Sequence, residues 1–228
     1  MIKKEKKEKA AEPEETMEGA KDDDLEEKVL FFTPPSEGPE DIKLRLLSLY
    51  GEVDEEKAAD ITYALRLLKE TCQVEEPEDP TNPDSEMVVI KEPIEFIIST
   101  YGGSAAEMFA IYDTMRMIRE ECEIHTIGLG KVMSAGVLLL AAGTKGKRKV
   151  AKNCRIMLHS VIGGSAGAIY NLENEMEEIR FTQKQHIECL VEETTMTRSY
   201  LKKLLNKKVN VYLTAKEAVK LGIADEII

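Results

Sequence analysis

Ile124-His-Thr-Ile-Gly-Leu-Gly130, then Met133-Ser134-Ala135-Gly136, then the apolar run Val137-Leu-Leu-Leu-Ala-Ala-Gly143, form the stretch that decides the fold. The first part reads as a buried strand ending in glycines, the last as a buried helix. Ser134 therefore stands where a strand turns into a helix. The first amides of a helix have no partner within it and point outward. A serine hydroxyl beside such amides can attack a carbonyl carbon and hold the oxyanion that forms. Taken alone, the motif more often marks a small residue closing a tight turn. Three other segments shift that balance.

Working outward, strand and helix alternate. Ile94-Glu-Phe-Ile-Ile98 is a strand, and Gly102-Gly103 precede a helix over 104–119 with Ala106, Phe109, Ala110, Thr114 or Met115, and Met117 facing inward. Lys147–Val150 and Arg155–His159 read as a short strand pair. Upstream, Leu44-Arg-Leu-Leu-Ser-Leu-Tyr50 reads as a strand ended by Gly51, and Asp54 as the cap of a helix over 55–72. Downstream, the glycines at 163, 164 and 167 predict an extended segment over 160–168. A helix over about 169–196 follows, with Ile169, Leu172, Met176 and Ile179 on one stripe. Such a long, one-striped helix is expected to pack on something outside its own domain. The repeated units predict an α/β fold with helices covering a largely parallel sheet.

The 228 residues suffice for one domain with a sizeable core, and 43% apolar with 32% charged residues describes a soluble globular chain. No run approaches the ~18 apolar residues of a membrane span, and the lysine-rich start has no apolar stretch after it. The net charge of −12 argues against a nucleic-acid surface. Cys72, Cys122, Cys154 and Cys189 match no metal spacing and read as free thiols of a reducing cytoplasm. Residues 1–40 are charge-dense and read as a mobile arm, with Val29-Leu-Phe-Phe32 as its one apolar patch. The domain proper spans 41–228, broken by an acidic, proline-rich exposed insertion at about 74–90.

Ser99-Thr-Tyr-Gly-Gly-Ser104 is a strand-to-helix turn whose glycines let a substrate backbone approach and present free amides. Arg155-Ile-Met-Leu-His159 places a histidine at a strand end beside a glycine-rich segment. A lone histidine is more often a packing residue. Of the three here, His125 lies within a strand and His186 on the long helix, so His159 has the best context.

Together these segments resemble the proteolytic subunit of the Clp protease. Gly102-Gly103 with Ala110-Ile-Tyr-Asp-Thr-Met115 is similar to that family's glycine pair and helix. Ser134-Ala-Gly with Ala141-Ala-Gly-Thr-Lys-Gly-Lys-Arg148 resembles its serine turn, and Asn153-Cys-Arg-Ile-Met-Leu-His159 its histidine strand. Leu213-Thr-Ala-Lys-Glu-Ala-Val-Lys-Leu-Gly-Ile-Ala-Asp225 resembles its C-terminal stretch. The likeness runs over about residues 44–228, with its motifs in order.

The resemblance implies a fold of stacked β-β-α units, of the type also found in crotonases, with a protruding handle helix. It implies a homo-oligomer of two stacked heptameric rings around a protease chamber. Peptides and unfolded proteins would be the substrates and a ring-shaped, ATP-driven (AAA+) unfoldase the partner. Carried residue by residue, Ser134 is the nucleophile, His159 the general base and Asn210 the third member of the triad. The amides of Gly103 and Ala135 form the oxyanion hole. Gly102 and the segment Val161, Ile162, Gly163 and Gly164 bind substrate, the latter as an added strand. No metal or organic cofactor is required.

Departures from the family pattern suggest a divergent member, with a phage or virus as one source; the expected location is cytoplasmic, the host's cytoplasm if the chain is phage-encoded. Tyr101 replaces the usual proline, and about two residues are added around Arg119–Glu123. Asn210 stands where an aspartate is expected, leaving open a turn role for Asn210, with Glu192, Glu193 or Asp225 serving His159 instead. It also leaves open a catalytically weak subunit that builds or regulates a mixed ring. A third alternative, an acyl-CoA-processing enzyme on the same fold, is opposed by the joint presence of Ser134 and His159.

Overall fold

The structure is a computed structural model and describes residues 44–207 and 209–228. The arm predicted at 1–40 lies outside the described residues. In chain order the elements are β1 (Leu46–Val53), α1 (Glu55–Glu70), β2 (Gln73–Pro77), β3 (Met87–Lys91), β4 (Ile94–Gly103), α2 (Ala105–Ile118), β5 (Ile124–Met133) and α3 (Ala135–Ala141). There follow β6 (Lys149–Val150), β7 (Arg155–Leu158), α4 (Ile169–Glu193), α5 (Arg198–Leu205), β8 (Val211–Leu213), α6 (Ala215–Lys220) and β9 (Glu226–Ile227).

β1, β4, β5, β6 and β9 run parallel, in that order, across one sheet. β5 is long enough to carry two neighbours. Its first half pairs with β6 at Ile127 and Gly128, its second with β7 at Lys131, Val132 and Met133. β8 joins β7 antiparallel. The core is aliphatic: Leu49, Phe96, Ile98, Ile124 and all of α3 are buried. Gly136 lets α3 close on β4, since a Cβ there would meet the Thr100 methyl at 2.4 Å.

The expected α/β fold with a mostly parallel sheet is present, and Asp54 caps α1 through the Lys57 amide at 2.9 Å. Other expectations need correction. β1 runs on through Gly51, whose φ of +78° accompanies a register shift that keeps the strand paired. β6 and β7 do not pair with each other; each takes its own half of β5. The buried face of α2 is Met108, Ile111, Tyr112, Thr114, Met115 and Ile118; Thr114 and Met115 lie on it as expected, but Ala106, Ala110 and Met117 are exposed, so the stripe is rotated at its ends. The rotation follows from Tyr112, whose buried hydroxyl donates to Glu193 at 3.1 Å. The acidic insertion carries a two-stranded antiparallel hairpin, β2 with β3, whose residues are largely exposed. α5 has no counterpart in the sequence reading.

The C-terminal end of α4 is pinned by charge. Glu193 is 1% exposed and accepts from Lys145 at 2.7 Å and from Arg119 at 2.9 Å as well as from Tyr112. Burial alone would raise its pKa, but Arg119 and Lys145 outweigh it and hold the carboxyl below the ordinary range. A buried carboxylate with this many donors fixes the register of α4 on α2, and hence what the rest of α4 presents to the sheet.

Candidate active site

β5 delivers Ser134 to the C-terminal end of the sheet. The serine adopts φ +53°, the one positive value at a residue other than glycine among the described residues. Such a backbone costs about 1–3 kcal/mol and persists only where its surroundings over-determine it. Here they do. The Ser134 amide donates to the Met157 carbonyl at 2.8 Å, extending the β5–β7 ladder by one step past Met133. Its carbonyl accepts from the Val137 amide and begins α3.

His159 follows directly on β7. The same strand pair that holds Ser134 therefore holds the histidine, and Nε2 lies 2.7 Å from the Ser134 Oγ. Burial pushes the pKa of His159 below its ordinary value. The imidazole is therefore neutral near pH 7, and in the tautomer that carries its proton on Nδ1 the Nε2 accepts from the Ser134 hydroxyl.

A cleft of about 520 Å³ opens over this pair. Gly102, Gly103 and Ala135 line it on one side, and Val161 and Ile162 on another. Gly102 has φ +102°, and a Cβ there would strike the Ser134 side chain. Gly103 closes on β1, where a Cβ would lie 2.2 Å from the Val53 carbonyl oxygen. Both glycines are needed for contact, one with the serine and one with the neighbouring strand. The Tyr101 ring, in place of the expected proline, lies under the Lys131 ammonium at 4.3 Å. The Val161 amide donates to Gln183 of α4 at 2.7 Å. Gly163 packs against Ile179, while Gly164 faces open space; neither lines the cleft.

The β7–β8 register pairs Ile156 with Leu213, Met157 with Tyr212 and Leu158 with Val211. His159 directly follows β7 and Asn210 directly precedes β8. The Asn210 side chain is exposed and, among the described residues, makes no hydrogen bond. The alternative acids are committed elsewhere. Glu193 serves the network at the end of α4, Glu192 binds Arg116 at 2.6 Å, and Asp225 binds Arg148 at 2.5 Å.

A family model for the Clp protease matches residues 85–228. The ATP-dependent Clp protease proteolytic subunit 1 of Corynebacterium jeikeium (strain K411) is 31% identical over 187 residues, covering 82% of this chain and 88% of that protein.

The chain belongs to the Clp protease family.

The family match takes in Gly102, Ser134, His159 and Asn210, and the mixed α/β architecture of this Clp-family chain agrees with it. Among the described residues no helix is long and apolar enough to cross a membrane.

Two residues of α4 in this Clp-family chain were given no site role by the sequence reading. His186 lines the cleft, and Gln183, one turn earlier and outside the lining, holds Val161. A signal for both was present. The apolar stripe of α4, continued at helical spacing past Ile179, runs through Gln183 and His186 to Ile187 and Leu190. Two polar side chains on a buried stripe mark a place where the helix meets something other than core.

Proposed function

We propose that the chain is a serine endopeptidase subunit of a self-compartmentalised ring that degrades unfolded polypeptides. The observation that carries this is the 2.7 Å contact between His159 Nε2 and Ser134 Oγ, set in a cleft edged by Gly102 and Gly103. In this reading His159 takes the proton as the Ser134 oxygen attacks the scissile carbonyl carbon. The acyl-enzyme forms as the leaving amine takes that proton from the imidazolium. A water, activated by the same imidazole, then releases the acyl group. The amides of Gly103 and Ala135 receive the oxyanion. Asn210, the third triad position by analogy with the family, is exposed and, among the described residues, makes no hydrogen bond, so in this reading it serves His159 only once its side chain turns in from solvent. The Val161 amide is engaged by Gln183, so a substrate strand pairs at Ile162 and beyond.

Ring assembly is supported by α4. Ile169, Leu172 and Met176 are exposed on one stripe of this helix. Closed symmetry gives such a stripe a neighbour to cover it. An ATP-driven unfoldase as feeder and a cytoplasmic location complete the reading by analogy with the family.

A fluorophosphonate tests the site. Covalent labelling of Ser134, lost in Ser134→Ala and suppressed in His159→Ala, is the expected result. An unlabelled Ser134 in an assembled particle that also leaves peptides intact would overturn the reading.

A further inference from the structure

His186 is 5% exposed, and its Nε2 is buried without a hydrogen-bond partner. Gln183, one helical turn earlier on the same face of α4, is in a similar state. Its carbonyl oxygen is fixed by the Val161 amide, and its buried amide nitrogen has no partner. Leaving a buried polar group unpaired costs about 1–3 kcal/mol, so such groups are rare unless something else completes them. His186 lines the same cleft as Ser134 and His159. A substrate side chain seated beside the scissile bond therefore supplies what the protein leaves unmade.

We propose that His186 is a specificity-determining residue that makes the cleft select a neutral carboxamide side chain, glutamine or asparagine, next to the cleaved bond. This rests on the peptidase reading above. The argument is one of matching donors and acceptors. Complete burial drives the His186 pKa down to about 4, with the neighbouring His159 adding to the effect, so the ring is uncharged at neutral pH. A carboxylate placed against an uncharged ring would be buried without a counter-charge. An apolar side chain would leave Nε2 of His186 unpaired. A carboxamide carries a carbonyl and an NH₂ on one carbon. It can either accept from or donate to His186, whichever tautomer the ring adopts.

The test uses the full, assembled chain carrying Ser134→Ala, so that binding is read without turnover. N-acetyl peptides identical except for a C-terminal glutamine, methionine or lysine are titrated by calorimetry. Methionine is close to glutamine in length but lacks its hydrogen-bonding head, and lysine tests attraction to Glu52, which also lines the cleft. The glutamine peptide should bind about tenfold more tightly than the methionine peptide. His186→Leu in the same background should bring the two affinities together, and His186→Asn should keep part of the preference. Equal affinities for glutamine and methionine, tightest binding of lysine, or a ratio unmoved by His186→Leu would each overturn the proposal. The ratio in the Ser134→Ala chain decides the matter even where a His186 variant does not assemble. Failure of the peptidase reading shows separately, as an unlabelled Ser134 in the unmutated chain.

Discussion

A Cβ on Gly102 would lie 2.5 Å from the Cβ of Ser134 and 3.0 Å from its Oγ. The glycine is thus part of the serine's own fit. Its φ of +102° excludes side chains a second time, through the backbone. Gly102→Ala must push Ser134 out of reach of His159 or twist β4. Displacements of this size cost on the order of 10²-fold in turnover. Peptide hydrolysis by the assembled variant should fall by at least that much, and an unchanged rate would show that the serine's position tolerates movement.

Ser134→Ala should abolish hydrolysis, since loss of the nucleophile of a triad costs on the order of 10⁶-fold. Assembly should survive, because alanine fits the turn. His159→Ala should act similarly, an unassisted hydroxyl being a poor nucleophile near neutral pH. Turnover of a fluorogenic peptide at the unmutated rate in either variant would remove that residue from the reaction.

The pH profile follows from the depressed pKa of His159. The base is active when neutral, so kcat/KM should rise with pH through a value below the ordinary histidine pKa of about 6.5 and stay level above it. Asn210→Asp puts a carboxylate just before β8, and under the triad reading that carboxylate turns toward His159 and stabilises the imidazolium. The limb should then shift to higher pH and the plateau rate should rise. Identical profiles and rates for Asn210, Asp and Ala at this position would take Asn210 out of the mechanism.

Glu193→Gln should destabilise the fold by about 1–3 kcal/mol near pH 7, because it removes the charge that pairs with the largely buried Arg119 and the half-exposed Lys145. The sign with pH is fixed by the lowered carboxyl pKa. The carboxylate's contribution is complete above the unfolded-state value of about 4.3 and is lost as pH falls through the folded-state value. Urea unfolding should therefore separate the two proteins at pH 7 and bring them together in acid. A constant gap would mean that Glu193 acts by packing alone.

Met176→Asp, on the exposed stripe of α4, should leave the monomer folded and break a large assembly into smaller species. Light scattering at micromolar concentration reads the mass directly. A monomeric mass for the unmutated chain would remove the ring.

The strand-turn-helix at Ser134 was legible because buried parallel strands and a buried helix leave long apolar runs with glycines between them. His159 was legible by context, as the histidine at a strand end beside glycines. The face of α2 was misread because Tyr112 counts as half polar in sequence yet is fully buried once Glu193 meets its hydroxyl. β6 and β7 were misjoined because nothing local reveals that one strand will carry two neighbours along a single edge. His186 escaped because its meaning depends on contact with a cleft built by residues far away in the chain.

Ser134 and His159 are 25 residues apart, yet the bond from the Ser134 amide to the Met157 carbonyl brings them together across one rung. The distance between hydroxyl and imidazole is therefore gauged by a ladder that exists only after β5 and β7 have met. A nascent or half-folded chain has both residues but no fixed spacing between them. Under the proposed peptidase reading, completion of the fold is thus what assembles the pair, and an unfinished copy is in no position to attack its neighbours.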